Sequence, residues 1–329
     1  MWWNKEPADK FKKHVIKNFY DYLNVIKEIK KEDDLIWFRG QEKALYRLIP
    51  SAMRELYETN DQFGRDIKPQ LLKNYNNSGK IVRYIDVGSL VKEFKEKALT
   101  YLKIKPRNDI EWYFLAQHYG IPTTLLDWST DPLVALYFSL PKKRDTTLNV
   151  IDINEATRNF EVNSYCEYGA AVFAMSPGKL NSLYGVFNKN DKQIDFPLDL
   201  DNSNHYGHIK RYLLNSEDDM PTLPCCIVGK EIDRRICRQS GNFTIHGDDV
   251  RPIDHSEVIQ QEIHKIFIPY TCIEDIREWL RLVDITDDSI YGEAVLDSIS
   301  KGISEDEKTK FKIFIEKLLQ KYTSGLTGK

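Results

Sequence analysis

The stretch that decides the fold begins Glu111-Trp-Tyr-Phe-Leu-Ala-Gln-His-Tyr-Gly120 and continues Ile121-Pro-Thr-Thr-Leu-Leu-Asp-Trp-Ser-Thr130-Asp-Pro-Leu-Val-Ala-Leu-Tyr-Phe-Ser-Leu140. Both ends are largely apolar, whereas the centre holds hydroxyl and carboxylate side chains between glycine and two prolines. A segment that only filled a core would not need most of these polar residues. The stretch therefore predicts two helices with a polar segment between them.

The first of these helices ends in polar residues. Apolar side chains recur at i, i+3 and i+4 from Trp112, which is typical of a helix. Gly120 and Pro122 are typical of a helix end. We therefore expect Gln117 and His118 near the last turn.

The second helix is predicted to begin at a cap. Pro132 suits the first turn of a helix, and Asp131 or Thr130 suits the N-cap position. The residues from Leu133 to Leu140 are apolar on most sides, which predicts a buried helix. Because the first turn of a helix presents unpaired backbone amides, this start is a good place to hold a polar ligand.

Composition limits what such a site can be. The chain has 329 residues and a formal net charge of −3, so it suits one large domain, or a core domain with an extension, and gives no reason to expect a nucleic-acid or membrane partner. Five cysteines without Cys-x-x-Cys spacing predict reduced, buried thiols in the cytoplasm. We find no signal-peptide core and no apolar run long enough to cross a bilayer, and expect a soluble intracellular protein.

Periodicity predicts the other elements. Helices are expected at 10–30, 90–102 (with Ser89 as its cap), 273–283, 291–299 and 305–322 (with a capping box of Ser304 and Glu307). Strands are expected at 35–38, 46–53, 148–153, 170–175 and 263–269, and two short strands are expected to meet near 240–242. The polar segment at 54–85 predicts a loop or loose helices, and 181–219 is expected to be a long, loop-like polar insertion. His205 and His208 lie in the second of these without an obvious third ligand nearby, so we expect no metal.

A second polar site follows the predicted strand at 35–38. Arg39 offers a planar fork of donors to phosphate or carboxylate, Gly40 lets backbone approach a ligand, and Gln41 adds an amide. A structural ion pair with an aspartate is the alternative for Arg39.

A third polar stretch surrounds the strands near 240–242. Gln239 and His246 are placed to face the same side as Asp127. For His246 the alternative is a hydrogen-bonded core histidine. The free carboxylates nearby in sequence are Glu231 and Glu262.

Three separated motifs of this chain resemble the FRG domain family, which is named for a Phe/Tyr-Arg-Gly motif. They are Trp37-Phe-Arg-Gly-Gln41, then Ala116-Gln-His-Tyr-Gly-Ile-Pro-Thr123 with Leu125-Leu-Asp-Trp-Ser-Thr-Asp-Pro132 and Ala135-Leu-Tyr-Phe138, then Arg235-Ile-x-x-Gln239-x-Gly-x-Phe-Thr244. The resemblance covers roughly residues 20–300. It indicates kinship more than activity, because FRG domains have been described as functionally uncharacterised.

The order of these motifs is also similar to that of Arg-Ser-Glu ADP-ribosyltransferases, which suggests a fold and a substrate. We expect an α+β domain with a split, mixed, mainly antiparallel sheet core of the ADP-ribosyltransferase-like kind. Its parts would be an N-terminal helix in 1–34, the FRG-type core in 35–270 and a C-terminal helical extension in 271–329. The substrate would be NAD, with no metal, and the ADP-ribose acceptor a protein, a nucleic acid or water. A place in a bacterial toxin or phage-defence system is a further implication.

The resemblance also implies roles for residues. Arg39 would clamp the NAD diphosphate, Gly40 would lie against nicotinamide or ribose, and Ser129 and Thr130 would hold the arginine or the ribose. Gln239 stands where that class has its catalytic glutamate. Asp127 is our first choice for the missing charge, ahead of Asp131, Glu231, Asp233 and Glu262. Residues expected in catalysis are thus Arg39, His118, Asp127, Ser129 and Gln239, and residues expected to bind NAD are Arg39, Gly40, Gln41, Gln117, Ser129, Thr130 and His246.

Two other classes of function stay open. A nucleotide- or nucleic-acid-sensing module would use the same polar residues without chemistry, with Trp37, Trp112, Tyr119 or Trp128 stacking on a base. Core packing is the simpler interpretation of those aromatic residues. A nuclease or nucleotide hydrolase would use His118, His246 and an acidic partner, and its rate would follow histidine titration. The sequence does not indicate an oligomeric state.

Overall fold

The computed structural model describes residues 9–58, 87–102, 105–142, 148–186, 193–213, 221, 223–229, 238–247, 251–291, 300–306, 308–310 and 313. The strands are β1 (Lys12–Val15), β2 (Trp37–Gln41), β3 (Leu125–Ser129), β4 (Gly169–Met175), β5 (Cys225–Ile227), β6 (Gly241–Ile245) and β7 (Ile263–Pro269). The helices are α1 (Phe19–Ile29), α2 (Ser51–Glu58), α3 (Val87–Ala98), α4 (Asp109–His118), α5 (Pro132–Ser139), α6 (Ile153–Val162), α7 (Pro177–Leu183), α8 (Ser203–Lys210), α9 (Glu257–Gln260), α10 (Ile273–Leu282) and α11 (Asp287–Tyr291).

All seven strands form a single sheet in the order β1-β7-β4-β2-β3-β6-β5. The edge strand β1 runs parallel to β7, whereas the other neighbours are antiparallel. The predicted α+β class with a mixed, mainly antiparallel sheet is therefore confirmed.

The sheet has a seam between its two central strands. β2 pairs with β4 along its whole length, and β3 pairs with β6 along its whole length. Between β2 and β3 the ladder consists of one pair, Phe38 with Ser129. We call this junction the seam, and the candidate site lies over it.

Side-chain alternation shows which helices share a face of the sheet. In β4, Ala170, Val172 and Ala174 pack in the cluster that contains α5, whereas the alternate residues face the opposite cluster. Phe38 belongs to the α5 cluster, and its partner across the seam is Ser129. Residues that are paired across two strands point to the same face of the sheet, so Phe38 and Ser129 share a face. The α5 cluster and the cluster that contains α4 both lie on that face, one on each side of the seam.

The central stretch folds largely as its sequence predicts. Asn108 caps α4, which carries Gln117 and His118 in its last turn, and Gly120 follows in the left-handed region with φ 82°. The Asp131 side chain accepts the Leu133 amide and so caps α5.

Strand β3 was not predicted. Leu126 and Trp128 are buried in one cluster and Leu125 in another, on opposite faces of the sheet. A strand covered on both faces lacks the apolar–polar alternation that identifies a half-exposed strand.

Three other predictions were wrong. Residues 12–15 of the predicted N-terminal helix form β1, and α1 begins only after Asn18, whose side chain accepts the Asp21 amide. Residues 46–50 form no strand, because the Leu48 amide donates to the buried Asp254 carboxylate and not to a ladder, and α2 begins at Ser51. Residues 148–152 form no strand and lead into α6, which Asp152 caps.

The predicted caps and loops also need correction. Ser89 lies inside α3, and Ser304 lies inside a helical run at 300–306, so neither occupies an N-cap position. The segment 181–219 contains α8 and part of α7. Several predicted features lie outside the described residues: most of the loop at 54–85, the first strand before 240, Glu307, and most of the helices at 291–299 and 305–322.

Of the remaining elements, β4, β6, β7 and α10 match their predicted positions. Strand β2 begins two residues later than predicted and includes Arg39, Gly40 and Gln41, which were expected to follow it. Cys166, Cys225, Cys226 and Cys272 are free and buried, as predicted for reduced thiols, and Cys237 is outside the described residues. In the part of the chain with described coordinates, no helix combines the length and apolar character that a bilayer crossing requires.

Candidate functional site

A cleft of about 650 Å³ opens over the seam, between α4 and α5. Its volume is in the range of small-molecule sites in proteins. Residues of all three motif regions line it. From the predicted set these are Arg39, Gly40, Gln117, His118, Asp127, Ser129 and Gln239.

Gly40 is the place where α5 meets the sheet. A Cβ atom at residue 40 would lie 2.0 Å from the Ala135 carbonyl oxygen and 2.5 Å from the Ser139 nitrogen. The helix backbone thus occupies the space that any side chain at residue 40 would need. Contact with α5 is therefore sufficient to explain this glycine without a ligand.

Arg39 reaches into the seam from β2. Its Nη1 donates to the Asp127 carbonyl oxygen at 2.7 Å, bridging the strands where their ladder stops. Nε is buried, and no described residue accepts a hydrogen bond from it. Burial lowers the Arg39 pKa to about 10, and Asp127 partly offsets this effect. Arg39 is therefore a cation at neutral pH, and its buried Nε has no acceptor among the described residues.

Asp127 supplies the carboxylate nearest to Arg39. Its Oδ2 lies 3.7 Å from Arg39 Nη1 and accepts a hydrogen bond from Gln117 Nε2 at 2.8 Å. No described residue bonds its other oxygen, and its side chain is 47% exposed in the cleft. The carboxylate is thus held by one oxygen and open to a ligand at the other.

A buried hydroxyl fixes the orientation of Gln117. Thr123 Oγ1 donates to Gln117 Oε1 at 2.5 Å, so the amide of Gln117 directs its NH₂ group toward Asp127. Thr123 has no exposed surface, and its hydroxyl also accepts the Leu125 amide. Thr123, Gln117 and Asp127 form one chain of hydrogen bonds.

Ser129 and Gln239 connect β3 with the segment before β6. Ser129 Oγ donates to the Gln239 carbonyl oxygen at 2.7 Å and accepts the Asp131 amide at 3.0 Å. The Gln239 side chain donates to the Ile290 carbonyl oxygen at 3.4 Å. The hydroxyl proton of Ser129 is therefore used within the protein, and Gln239 adds no charge.

His118 lies in the lining, with its ring edge-on to Phe243 at a centroid distance of 5.5 Å. It is 7% exposed. It borders the cleft as a largely buried ring.

Three predicted residues do not line the cleft. Gln41 and His246 are buried, and strand alternation directs Gln41 to the face opposite Gly40 and His246 to the face opposite Phe243 and Ile245. Thr130 is exposed, and its backbone amide donates to the Ser240 carbonyl. Gln41 shares the strand face of Arg39, but its amide donates to the Arg47 carbonyl oxygen, whereas Arg39 reaches Asp127 across the seam.

The other candidate carboxylates take no part in the described lining. Asp131 is the cap of α5, and Glu262 precedes β7 away from the cleft. Glu231 and Asp233 lie outside the described residues. Within the described ranges, no group of three or more histidine, cysteine, aspartate or glutamate side chains is arranged to hold a metal.

A basic wall of the cleft was missed by the sequence analysis. It comes from the helical run at 300–306 and 308–310, and its lining residues are Lys301, Ser304, Glu305 and Lys308. We call these four residues the C-terminal wall. Their spacing i, i+3, i+4 and i+7 was the available signal, but a polar stripe of this kind is also typical of a solvated face. Arg54 from α2 completes the cationic lining.

The model of the FRG domain matches residues 34–147. This chain contains an FRG domain. No curated protein and no solved structure matches the chain significantly. The matched segment includes β2, α4, β3 and α5.

The arginine and the glycine of the FRG motif have separate roles here. Gly40 admits the α5 backbone, and Arg39 bridges the seam to the Asp127 carbonyl oxygen. The second motif region of the FRG domain supplies Gln117, Thr123 and Asp127, which are joined by hydrogen bonds. The FRG domain therefore provides the floor of the cleft, whereas Gln239 and the C-terminal wall come from later parts of the chain.

Proposed function

We propose that the cleft binds NAD and cleaves its nicotinamide–ribose bond, with ADP-ribose passing to a macromolecule or to water. The observation that carries this proposal is the buried guanidinium of Arg39, with an unused Nε donor, beside a carboxylate that is open to the cleft. Such a pair suits a ligand that carries phosphate oxygens close to a centre that becomes positive during reaction.

The chemistry assigns different tasks to the two side chains. The N-glycosidic bond breaks, its electron pair leaves with nicotinamide, and C1′ of the ribose becomes oxocarbenium-like. The Asp127 carboxylate would stabilise that charge, and the Arg39 guanidinium would hold a phosphate oxygen of the diphosphate. An acceptor nucleophile or water then bonds to C1′ and loses its proton to solvent.

The lining of the cleft bears on the choice between this chemistry and a histidine-dependent nuclease. In the described lining the cationic side chains Arg39, Arg54, Lys301 and Lys308 outnumber the carboxylates Asp127 and Glu305, which favours an anionic ligand. His246 does not line the cleft, so His118 is not joined there by the second histidine that the nuclease reading requires. The wider role in toxicity or phage defence remains an implication of consuming NAD.

The test is nicotinamide release from NAD by the full chain. Asp127→Asn keeps an oxygen that can accept the Gln117 hydrogen bond but removes the charge, and we expect release to fall on the order of 100-fold. Arg39→Lys keeps a cation but loses the guanidinium fork, and we expect weaker NAD binding. Asp109→Asn is the matched control, since that side chain is 91% exposed and outside the cleft lining.

The outcomes separate the candidate functions. The proposal is supported if the wild-type chain releases nicotinamide and the Asp127→Asn variant does not, while the melting temperature of that variant equals that of wild type. Saturable NAD binding without released nicotinamide would favour a nucleotide sensor. Absence of both, with no rise in melting temperature on adding NAD, would refute an NAD site.

A further inference from the structure

The C-terminal wall lies outside the FRG domain, yet it faces the FRG motif residues across one cleft. Lys301, Ser304, Glu305 and Lys308 line the same cavity as Arg39 and Asp127. At spacings of three and four residues these side chains form one stripe of a helix. The stripe points into the cleft and not only into solvent.

Two contacts fix this wall against the end of α4. Ser304 Oγ lies 3.2 Å from the Gly120 carbonyl oxygen, which belongs to the turn that follows Gln117 and His118. Ile303, the neighbour of Ser304, is 3% exposed and packs in the same hydrophobic cluster as α4. The wall is therefore positioned by the element that also positions Gln117.

Lys301 and Glu305 of the wall are exposed beside the cleft. Lys301 Nζ is 3.9 Å from Glu305 Oε1, and the two side chains are 77% and 66% exposed. Such an exposed pair is weak, so an incoming phosphate can replace the carboxylate as the partner of Lys301 at little cost. Lys308 is half-buried one turn of helix from Ser304.

We propose that the C-terminal wall is the diphosphate subsite of the cleft, with Lys301 and Lys308 binding phosphate oxygens opposite Arg39. Glu305 stands between the lysines and accepts hydrogen bonds only, which suits a ribose hydroxyl. The ligand class is therefore a dinucleotide, whose diphosphate contacts the lysines and whose ribose contacts Glu305. This assignment rests on the proposed function for the identity of that dinucleotide.

The experiment compares Lys301→Gln/Lys308→Gln with the wild-type full chain. We expect the KM for NAD to rise about tenfold and its dependence on salt to weaken, with kcat nearly unchanged. Lys310→Gln is the control for charge loss outside the lining, and the single variants Lys301→Gln and Lys308→Gln are compared with it charge for charge. Direct binding of NAD and of inorganic pyrophosphate is measured in parallel.

Each outcome decides one proposal. If the double variant matches wild type while Arg39→Lys loses NAD, the subsite is refuted and the proposed function stands. If the wild-type chain neither binds nor cleaves NAD, the proposed function fails. In that case pyrophosphate binding that the double variant weakens still supports the wall as a diphosphate site, and no pyrophosphate binding refutes it.

Discussion

Asp127 is the residue on which the proposed chemistry depends, and its position is set by a residue that does not reach the cleft. The carboxylate is held by Gln117, and the amide of Gln117 is oriented by the buried hydroxyl of Thr123. A catalytic carboxylate gains from such support because small displacements reduce the stabilisation of a developing charge.

We predict that Thr123→Val slows nicotinamide release about tenfold through kcat, with little change in KM. Valine keeps the volume but neither donates to Gln117 nor accepts the Leu125 amide, so we also expect about 1 kcal/mol less stability. Thr123→Ser retains the hydroxyl and should restore the rate. Steady-state kinetics beside urea unfolding provides the measurement, and a folded valine variant with wild-type kcat would contradict the positioning role.

Helix α5 is the element that requires a glycine at residue 40 of the FRG motif. Its backbone lies directly on β2 at Gly40, and its N-cap is Asp131, two residues after Ser129. The helix thus connects the two strands of the seam on one face of the sheet, and its close approach leaves no space for a side chain at residue 40.

We predict that Gly40→Ala lowers the free energy of unfolding by about 3 kcal/mol or more, because the added methyl overlaps backbone atoms and not a flexible side chain. Gly207→Ala is the control. Nothing lies within 4 Å of a Cβ atom built there, and α8 continues through it, so alanine should leave stability equal or higher by up to about 1 kcal/mol. Equal stability of both variants in urea would contradict this account.

Local signals predicted the helices of the central stretch, because the residues that cap and end a helix are close to it in sequence. The sequence also identified most of the cleft floor, since Arg39, Gln117, Asp127 and Ser129 do meet there. Long-range pairing was not visible. β1 forms only because β7 is its partner, and Lys301 and Lys308 join the cleft only through packing of a distant segment onto α4.

The β1–β7 edge affects the stability of the whole molecule through two histidines. His14 Nε2 lies 2.9 Å from His264 Nδ1, and His264 Nε2 lies 3.3 Å from Glu32 Oε2. Burial lowers the pKa of His264 to about 4, although Glu32 raises it and Lys12 lowers it further. Burial also lowers the pKa of His14.

The sign of the pH effect follows from these shifts. Below the ordinary histidine pKa of about 6.5 the unfolded chain binds protons that the folded chain excludes, so stability is lost as pH falls from there toward 4. We predict a decline in the free energy of unfolding across that window that is shallower in His264→Gln. Denaturant unfolding at several pH values measures it, and equal slopes in the two proteins would contradict the assignment.

The seam has a consequence for how the protein is made. The FRG segment at 34–147 contains β2 and β3, which pair with each other at one position only, whereas their full ladders are with β4 and β6. On the ribosome, β2 and β3 emerge before either of those partners exists. The chain must be synthesised past Ile245 before β3 has its full ladder, and past Lys308 before the C-terminal wall can pack. A nascent FRG segment is therefore without the complete cleft until residues well beyond 34–147 have been made.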